Sequence, residues 1–243
     1  MKLTERVFEN EYVRLEPLHE LHREPLREAA NADREIWTSL YPYSMAGEHF
    51  DPFWVRIQND HSIGSWIPFA VIVSGQCVGL TCYIRPEAAH RSVDIGSTYY
   101  RPEFRGGVVN PAAKHLLLGN AFACGANRVQ FGVDALNARS RAAMTKLGAI
   151  EEGVLRRARI AWTGRVFDRV IFSVLVDEWP RVRETLEQQL SVRRGRSYDS
   201  CALAHVLVGE PDPTSPGHAL IGAQQERFRY REAERLGGFE IHD

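Results

Sequence analysis

One segment constrains the fold of this chain more than any other: a strand, a loop with two adjacent glycines, and a helix follow one another. The strand pattern Arg91–Tyr100 precedes Arg105-Gly106-Gly107, while Asn110 and Pro111 are typical of the cap and first position of a helix reaching about Cys124. Glycines let backbone amides approach an anion, and the positive end of the helix favours that anion. The segment predicts a phosphate-binding loop, and a glycine turn that merely links strand to helix is the alternative.

Two familiar nucleotide-binding motifs do not fit this loop. A P-loop has Gly-Lys-Ser/Thr before its helix, and a Rossmann unit has GxGxxG after an early strand, with an acidic residue about 20 positions later. The chain has neither pattern here. Both kinds of nucleotide site are therefore excluded for this loop.

Strand and helix patterns alternate along the chain up to Leu190. The predicted strands are Tyr12–Leu18, Pro68–Val73, Gln76–Ile84, Arg91–Tyr100, Arg128–Asp134, Gly153–Ile160 and Arg169–Val176. The second and third are separated by Ser74-Gly75 and are expected to pair as a hairpin. The predicted helices are Leu18–Ala30, one that begins at Asp51 as its cap, one that begins at Asn110 as its cap, one that follows Asn137 and runs through Leu147, and Asp177–Leu190. Gly125 and Gly148 are expected to end the third and fourth of these helices, Gly148 in a left-handed conformation. This order predicts a mixed α/β sheet fold of the α+β type.

The character of the sequence changes at Ser191. Arg193-Arg194-Gly195-Arg196 and the turn-forming run Pro211–Gly217 do not favour regular structure. We therefore predict one domain over 1–190 and a partly irregular C-terminal extension over 191–243. The extension is too short for a second domain, but it can pack on the body or on a partner subunit, as in a homodimer.

Charge and cysteine content exclude several functions. The chain has 30 basic and 31 acidic residues, so no net field attracts it to nucleic acid or to an anionic membrane. It has neither an apolar N-terminal run nor 18 consecutive apolar residues, which predicts a cytoplasmic protein without a membrane span. Its four cysteines form no CxxC pair and no metal-ligand spacing with histidine, so neither zinc nor a disulfide framework is expected.

An ordered set of motifs around the loop carries a family resemblance. The set comprises DIGSTYYRPEF, the RGG loop, RVQFGVD, Asn137-Ala138-Arg139-Ser140, Lys146-Leu147-Gly148-Ala149 and Glu152-Gly153-Val154-Leu155-Arg156. It resembles the GNAT acetyltransferases, and in particular the subgroup that contains the ribosomal-protein alanine N-acetyltransferases. The resemblance covers about Tyr12 to Leu190, and it implies the GNAT acyl-CoA N-acyltransferase fold.

The resemblance implies acetyl-CoA as co-substrate, with no metal. In GNAT enzymes the strand before the loop separates from its neighbour at a bulge, and the pantetheine arm pairs with its free backbone. The implied cofactor contacts are Tyr99, Tyr100, Arg101, Arg105, Gly106, Gly107, Val108, Asn110 and Asn137. Val108 and Asn110 stand where the usual pattern Q/R-x-x-G-x-G/A has small residues. For Arg101 and Arg105, simple solvation is the alternative.

Acetyl transfer needs a neutral amine, a polarised thioester carbonyl and a proton for the departing sulfur. The resemblance implies Asp94 as the base, and an ion pair with an arginine such as Arg91 is the alternative. It implies Ser140, the serine of N-x-x-S, as proton donor to the thiolate, and a helix cap is the alternative. The tyrosine that many GNAT enzymes use for this step is absent from Ile150-Glu151-Glu152-Gly153. Asp134 is interpreted as ordering its loop or capping the next helix.

Three functions fit these patterns. The favoured one is an enzyme that acetylates a protein N-terminal α-amine or a small-molecule amine by direct attack on the thioester. The second is a catalytically silent acetyl-CoA-binding or assembly module, and the third is a structural α/β protein. The aromatic residues of the first helical region, Trp37, Tyr41, Tyr43 and Trp54, are interpreted as core residues and not as an acceptor platform.

Overall fold

Eight strands form one mixed sheet in the computed structural model of the chain, which describes residues 1–3 and 5–192. The strands are β1 (Phe8–Glu9), β2 (Arg14–Pro17), β3 (Trp66–Val73), β4 (Gln76–Glu87), β5 (Ser92–Tyr100), β6 (Arg128–Asp134), β7 (Ile150–Ile160) and β8 (Val166–Leu175). Their order is β1-β2-β3-β4-β5-β6-β8-β7, and only the pair β5 and β6 is parallel. The predicted mixed α/β fold is confirmed.

Six α-helices cover the two faces of the sheet in the described part of the chain. They are α1 (Arg23–Asn31), α2 (Glu35–Ser39), α3 (Phe50–Ser62), α4 (Val109–Ala123), α5 (Ala138–Leu147) and α6 (179–192). Leu117 of α4, Met144 of α5 and Val182 of α6 belong to the core on one face. Leu26 of α1, Trp37 of α2 and Ile57 of α3 belong to the core on the other. Successive side chains of each strand point to opposite faces of the sheet, so apolar side chains of the strands contribute to both cores.

Several predicted local features are confirmed. Pro68–Val73 and Gln76–Ile84 lie within β3 and β4, which form an antiparallel hairpin. Gly148 ends α5 with φ of 91°, and Gly125 follows α4 with φ of 87°. In this left-handed region a side chain would be strained, so glycine is the residue that ends these helices at least cost.

Two predicted helix caps are wrong. Helix α3 begins at Phe50, directly after a 3-10 turn at Gly47–His49, so Asp51 already lies inside the helix. The Asp51 carboxylate instead binds Arg23 at 2.8 Å and Arg27 at 2.6 Å. Helix α4 likewise begins at Val109, one residue before Asn110.

Among the remaining boundaries the largest difference is at α1, which begins at Arg23 after a 3-10 turn at Glu20–His22 and not at the predicted Leu18. Strand β7 begins at Ile150, three residues before the predicted Gly153, and a 3-10 turn at Val176–Glu178 precedes α6. The predicted extension, 191–243, lies outside the described residues except for 191 and 192, which belong to α6. Its separation from the 1–190 domain stays a prediction. No helix within the described ranges is long and apolar enough to cross a membrane.

Candidate active site

The central feature of the site is an opening between the two parallel strands. β5 and β6 pair only at Ser92–Arg128, Val93–Val129 and Asp94–Gln130. Beyond these pairs β5 continues to Tyr100 and β6 to Asp134 without pairing to each other. The facing edges of the two strands are therefore available for a ligand that supplies hydrogen-bond partners.

A β-bulge lies beside this opening. Gly96 pairs with Cys82 and Tyr99 pairs with Leu80, so β5 has one residue more than β4 in this interval. Ser97 adopts a φ of 50°, which is uncommon for a residue with a side chain. Tyr99 consequently packs in the core beside α1–α3, whereas its neighbour Tyr100 packs in the core beside α4.

The glycine loop lies at the N-terminus of α4. Gly106 has φ of 72°, a conformation that favours glycine, but Gly107 does not share it. A Cβ atom at Gly107 would meet no atom within 4 Å. Neither backbone strain nor packing therefore requires glycine at 107, and the space beside it is open to a ligand at the positive end of the helix.

Two predicted arginines are held by neighbouring groups. Arg105 donates from Nε to the Tyr100 carbonyl oxygen at 2.7 Å, and its guanidinium also pairs with Asp33. Its Nη2 is buried and has no hydrogen-bond partner among the described residues. Arg101 donates from Nε to Glu103 at 2.7 Å. Arg105 therefore faces inward, and its Nη2 is a buried donor that no described residue satisfies.

The side chains of Tyr99, Tyr100 and Asn110 take part in the packing of the domain. The Tyr99 hydroxyl donates to the Ala29 carbonyl oxygen at 2.7 Å, and the Tyr100 hydroxyl donates to Asn110 Oδ1 at 3.4 Å. Val108 occupies the position before α4. Any contact from Tyr99 or Tyr100 to a cofactor would therefore come from the backbone.

Asn137, and not Ser140, caps α5. Asn137 Oδ1 accepts a hydrogen bond from the backbone N–H of Ser140 at 2.9 Å. The half-buried Ser140 hydroxyl makes no hydrogen bond to any described residue. Asn137 also lines a cleft of about 470 Å³ together with Arg105 and Arg139, between α2 and the start of α5. The structure thus brings Asn137 and Arg105, two of the predicted cofactor contacts, to one cleft.

Asp94 stands at the last residue pair before the opening. Its carboxylate accepts hydrogen bonds from Arg85 at 2.7 Å, Arg169 at 3.2 Å and Gln130 at 3.2 Å. Arg91, named as a partner from the sequence, instead donates to the carbonyl oxygen of Gly125. The ion-pair interpretation therefore holds with different arginines, and the role of Asp94 as a base stays a prediction.

Asp134 has the loop-ordering role that the sequence indicated. Its Oδ1 accepts the backbone N–H of Leu136 at 2.9 Å, and its other oxygen pairs with Arg165. These two bonds fix the loop between β6 and α5. Asp134 thus positions the loop that carries Asn137.

Comparison with known proteins identifies the family of this chain. The family model of the acetyltransferase (GNAT) domain matches residues 13–150. The chain belongs to the GNAT acetyltransferases. It is therefore a transferase, and this bears out the predicted enzyme class.

Solved structures of GNAT proteins share the fold. A protein from T. thermophilus assigned as an acetyltransferase is 33% identical, with a TM-score of 0.71, and the match covers 78% of this chain and all of that one. A GCN5-related N-acetyltransferase from Brucella melitensis is 27% identical, with a TM-score of 0.69 over 76% and 85% of the two chains. Mycobacterium smegmatis RimJ, in complex with a CoA disulfide, is 22% identical, with a TM-score of 0.64 over 72% and 88%. No curated protein matches the chain.

Lys114 of this GNAT domain is not among the site residues predicted from the sequence. It is the one buried lysine or arginine in the described part of the chain. Its Nζ donates to Thr98 Oγ1 at 2.9 Å and lies 6.0 Å from the centre of the Phe131 ring. Its spacing to Leu117, Leu118 and Ala121 puts it on the apolar stripe of α4, a signal that the sequence did contain.

Burial lowers the pKa of Lys114 to about 7, because removal from water disfavours the charged amine. The chain has only three lysines, Lys2, Lys114 and Lys146, so lysine-labelled NMR spectra are expected to give three assignable signals. We predict that the signal lost in Lys114→Met titrates near pH 7. Lys2→Gln and Lys146→Gln assign the other two signals. A midpoint above pH 9 for Lys114 would contradict the burial of its amine.

Glu16, His19 and His22 are a group of potential metal ligands, remote in the fold from the opening. His22 Nδ1 accepts the backbone N–H of His19 at 3.2 Å, and His22 Nε2 lies 3.0 Å from Glu16. If Nδ1 accepts, Nε2 must carry the proton, which it donates to Glu16. His22 therefore has no free lone pair for a metal, and the group is a hydrogen-bonded turn.

Proposed function

We propose that the chain transfers an acetyl group from acetyl-CoA to a primary amine by direct attack of the amine on the thioester. The observation that carries this proposal is the opening between β5 and β6, with the glycine loop and the start of α4 beside it. An extended pantetheine arm could pair with the free edge of β5, and the diphosphate would bind at the helix N-terminus. RimJ, which has the same fold, contains CoA in its structure.

The site residues fit acetyl-CoA in chemical terms. The space beside Gly107 leaves room for a diphosphate, Arg105 Nη2 can donate to it or to the arm, and Asn137 Nδ2 can bind a pantetheine carbonyl. Asp94, acting through water, and Ser140 are the proposed base and acid. Arg101, Val108 and Asn110 complete the proposed surroundings of the loop, and the backbone of Tyr99 and Tyr100 supports the arm.

The proposed acceptor is a protein N-terminal α-amine, as in the ribosomal-protein alanine N-acetyltransferases, and a small-molecule amine is the second candidate. The motif Asn137 to Ser140 and the shared fold with RimJ support the first candidate. The free thiols of Cys77 and Cys82 fit a reducing compartment, and we propose the cytoplasm.

A thiol-release assay tests the proposal. The protein is mixed with acetyl-CoA and either peptides with different N-terminal residues or small amines, and free CoA is measured. We expect release that depends on the amine and is strongest with one class of acceptor. Absence of acetyl-CoA binding in calorimetry, or binding without turnover across the whole panel, would overturn the proposal.

Removal of 197–243 is expected to leave acetyl-CoA affinity unchanged within about twofold, since the loop, the opening and the Asn137 cap all lie between β5 and α5. Calorimetry of the truncated and full chains measures this, with circular dichroism to confirm folding. A folded truncation that no longer binds acetyl-CoA would show that the extension completes the site. Size-exclusion chromatography of both forms tests the proposed role of the extension in a homodimer.

A further inference from the structure

Lys114 places a buried amine in the domain without an acidic partner. An ammonium has three N–H donors, and among the described residues the Lys114 Nζ has one hydrogen-bond acceptor, Thr98 Oγ1. Buried charges are normally paired, because removing a charge from water is unfavourable. At this position an apolar side chain would pack without that penalty, so the amine needs an explanation beyond the stability of the fold.

The position of the amine relates it to the opening. Thr98 lies in the bulge of β5, on one side of the opening, and Phe131 lies on β6, on the other. The Lys114 amine contacts Thr98 and faces the Phe131 ring, so it lies between α4 and the two separating strands. A ligand that enters between β5 and β6 at the bulge would therefore meet its remaining N–H groups.

The charged groups around the site do not neutralise this amine. On β5, Asp94 lies between Val93 and Ile95, whose side chains face the core beside α4. Successive side chains of a strand point to opposite faces of the sheet. The Asp94 carboxylate therefore lies on the other face, where it pairs with Arg85 and Arg169. Besides burial, the group that affects the pKa of Lys114 is the thiol of Cys82 on β4. Burial raises the pKa of the Cys82 thiol, so this group stays neutral.

We propose that Lys114 supplies the positive charge that stabilises the sulfur of CoA as the thioester breaks. This inference rests on the proposed function. As the C–N bond to the acceptor amine forms, the C–S bond breaks and the sulfur keeps the electron pair. Lys114 then gives one proton to the thiolate and regains one from water, while the acetylated amine releases one to water.

The same assignment accounts for a difference from many GNAT enzymes. The tyrosine they use to protonate the thiolate is absent from the stretch that begins β7. An amine whose pKa is lowered by burial to about 7 can give up a proton near neutral pH, as a general acid must.

The test measures the thiol of bound CoA directly, because a thiolate absorbs ultraviolet light where a thiol does not. CoA is titrated with base in complex with the parent protein, Lys114→Met and Lys114→Arg. Because the charged amine and the thiolate stabilise each other, the two groups titrate as a pair in the complex, and we expect the thiol pKa to be about 1 to 3 lower in the parent than in Lys114→Met, which is the usual effect of an opposite charge a few ångströms away. Lys114→Arg, which keeps the charge, should restore at least part of the difference.

Two controls make the result specific. Lys146→Met removes the same charge from the exposed side of α5 and should leave the thiol pKa as in the parent. Thermal melting checks each variant, and Lys114→Met should fold at least as stably as the parent, since it replaces a buried charge by an apolar chain of similar length. If the longer side chain of Lys114→Arg prevents folding, the thiol pKa values of the parent, Lys114→Met and Lys146→Met still test the role of Lys114.

The outcomes separate this inference from the proposed function. A parent protein that does not bind CoA would refute the proposed function, and with it the inference. A parent that binds CoA with the same thiol pKa as Lys114→Met would refute only the role of Lys114. With a competent acceptor, Lys114→Met should lower kcat by about 100-fold and change the acetyl-CoA dissociation constant by less than about threefold.

Discussion

Gly107→Glu is expected to weaken acetyl-CoA binding by at least about 100-fold, or roughly 2.7 kcal/mol, without loss of the fold. Its side chain would enter the open space beside the start of α4 and place a negative charge where we propose the diphosphate binds. The loss would combine charge repulsion with the disruption of hydrogen bonds to a charged group, each worth about 1.5–3 kcal/mol. Calorimetric titration with acetyl-CoA measures it.

Matched variants separate ligand binding from folding. Gln76→Glu adds the same charge at an exposed hairpin position and should bind acetyl-CoA like the parent. Gly106→Ala should instead lower the free energy of unfolding by about 1–2 kcal/mol, because the φ of 72° at Gly106 is strained for any residue with a side chain. Equal acetyl-CoA affinity for Gly107→Glu and the parent would show that the loop does not bind the diphosphate.

Ser140→Ala is expected to lower kcat by about 100-fold or more while leaving thermal stability and acetyl-CoA affinity near the parental values. The reason is structural: the Ser140 hydroxyl makes no hydrogen bond to the described residues, and the cap of α5 is the Asn137 side chain. Loss of the hydroxyl therefore removes little from the folded state, whereas loss of a proton donor slows the departure of the sulfur.

Asn137→Ala is the contrasting variant for this experiment. It removes the cap of α5 and should lower the free energy of unfolding by about 1 kcal/mol. It also removes any contact from the Asn137 side chain to the pantetheine arm. Turnover with a competent amine, thermal melting and calorimetry are measured on both variants. Near-parental kcat in Ser140→Ala would leave Lys114 as the one proposed proton donor.

The sequence predicted those parts of the fold that local patterns determine. The hairpin of β3 and β4, the start of α5 directly after Asn137 and the left-handed glycine at Gly148 each depend on a few neighbouring residues, and the structure confirms them. The cap at Asp51 failed because that carboxylate pairs with Arg23 and Arg27 of α1, a contact between distant parts of the chain. No pattern near Asp51 contains this information.

The site shows the same division between local and distant information. The glycine loop was recognisable because its sequence is contiguous. The partners of Asp94 were not, since Arg85 and Arg169 reach it from two other strands. Lys114 lay on a visible apolar stripe, but its importance depends on the separation of β5 from β6, which only the assembled sheet reveals.

Thr98 is bound from two sides, and this has a thermodynamic consequence. The Tyr41 hydroxyl donates to its carbonyl oxygen at 2.7 Å from the segment after α2, while Lys114 binds its hydroxyl from α4. Two ligands that bind against these two contacts would thus act on one residue. Linkage then requires the effect to be reciprocal. If the acceptor changes the affinity for acetyl-CoA by some factor, acetyl-CoA must change the affinity for the acceptor by the same factor.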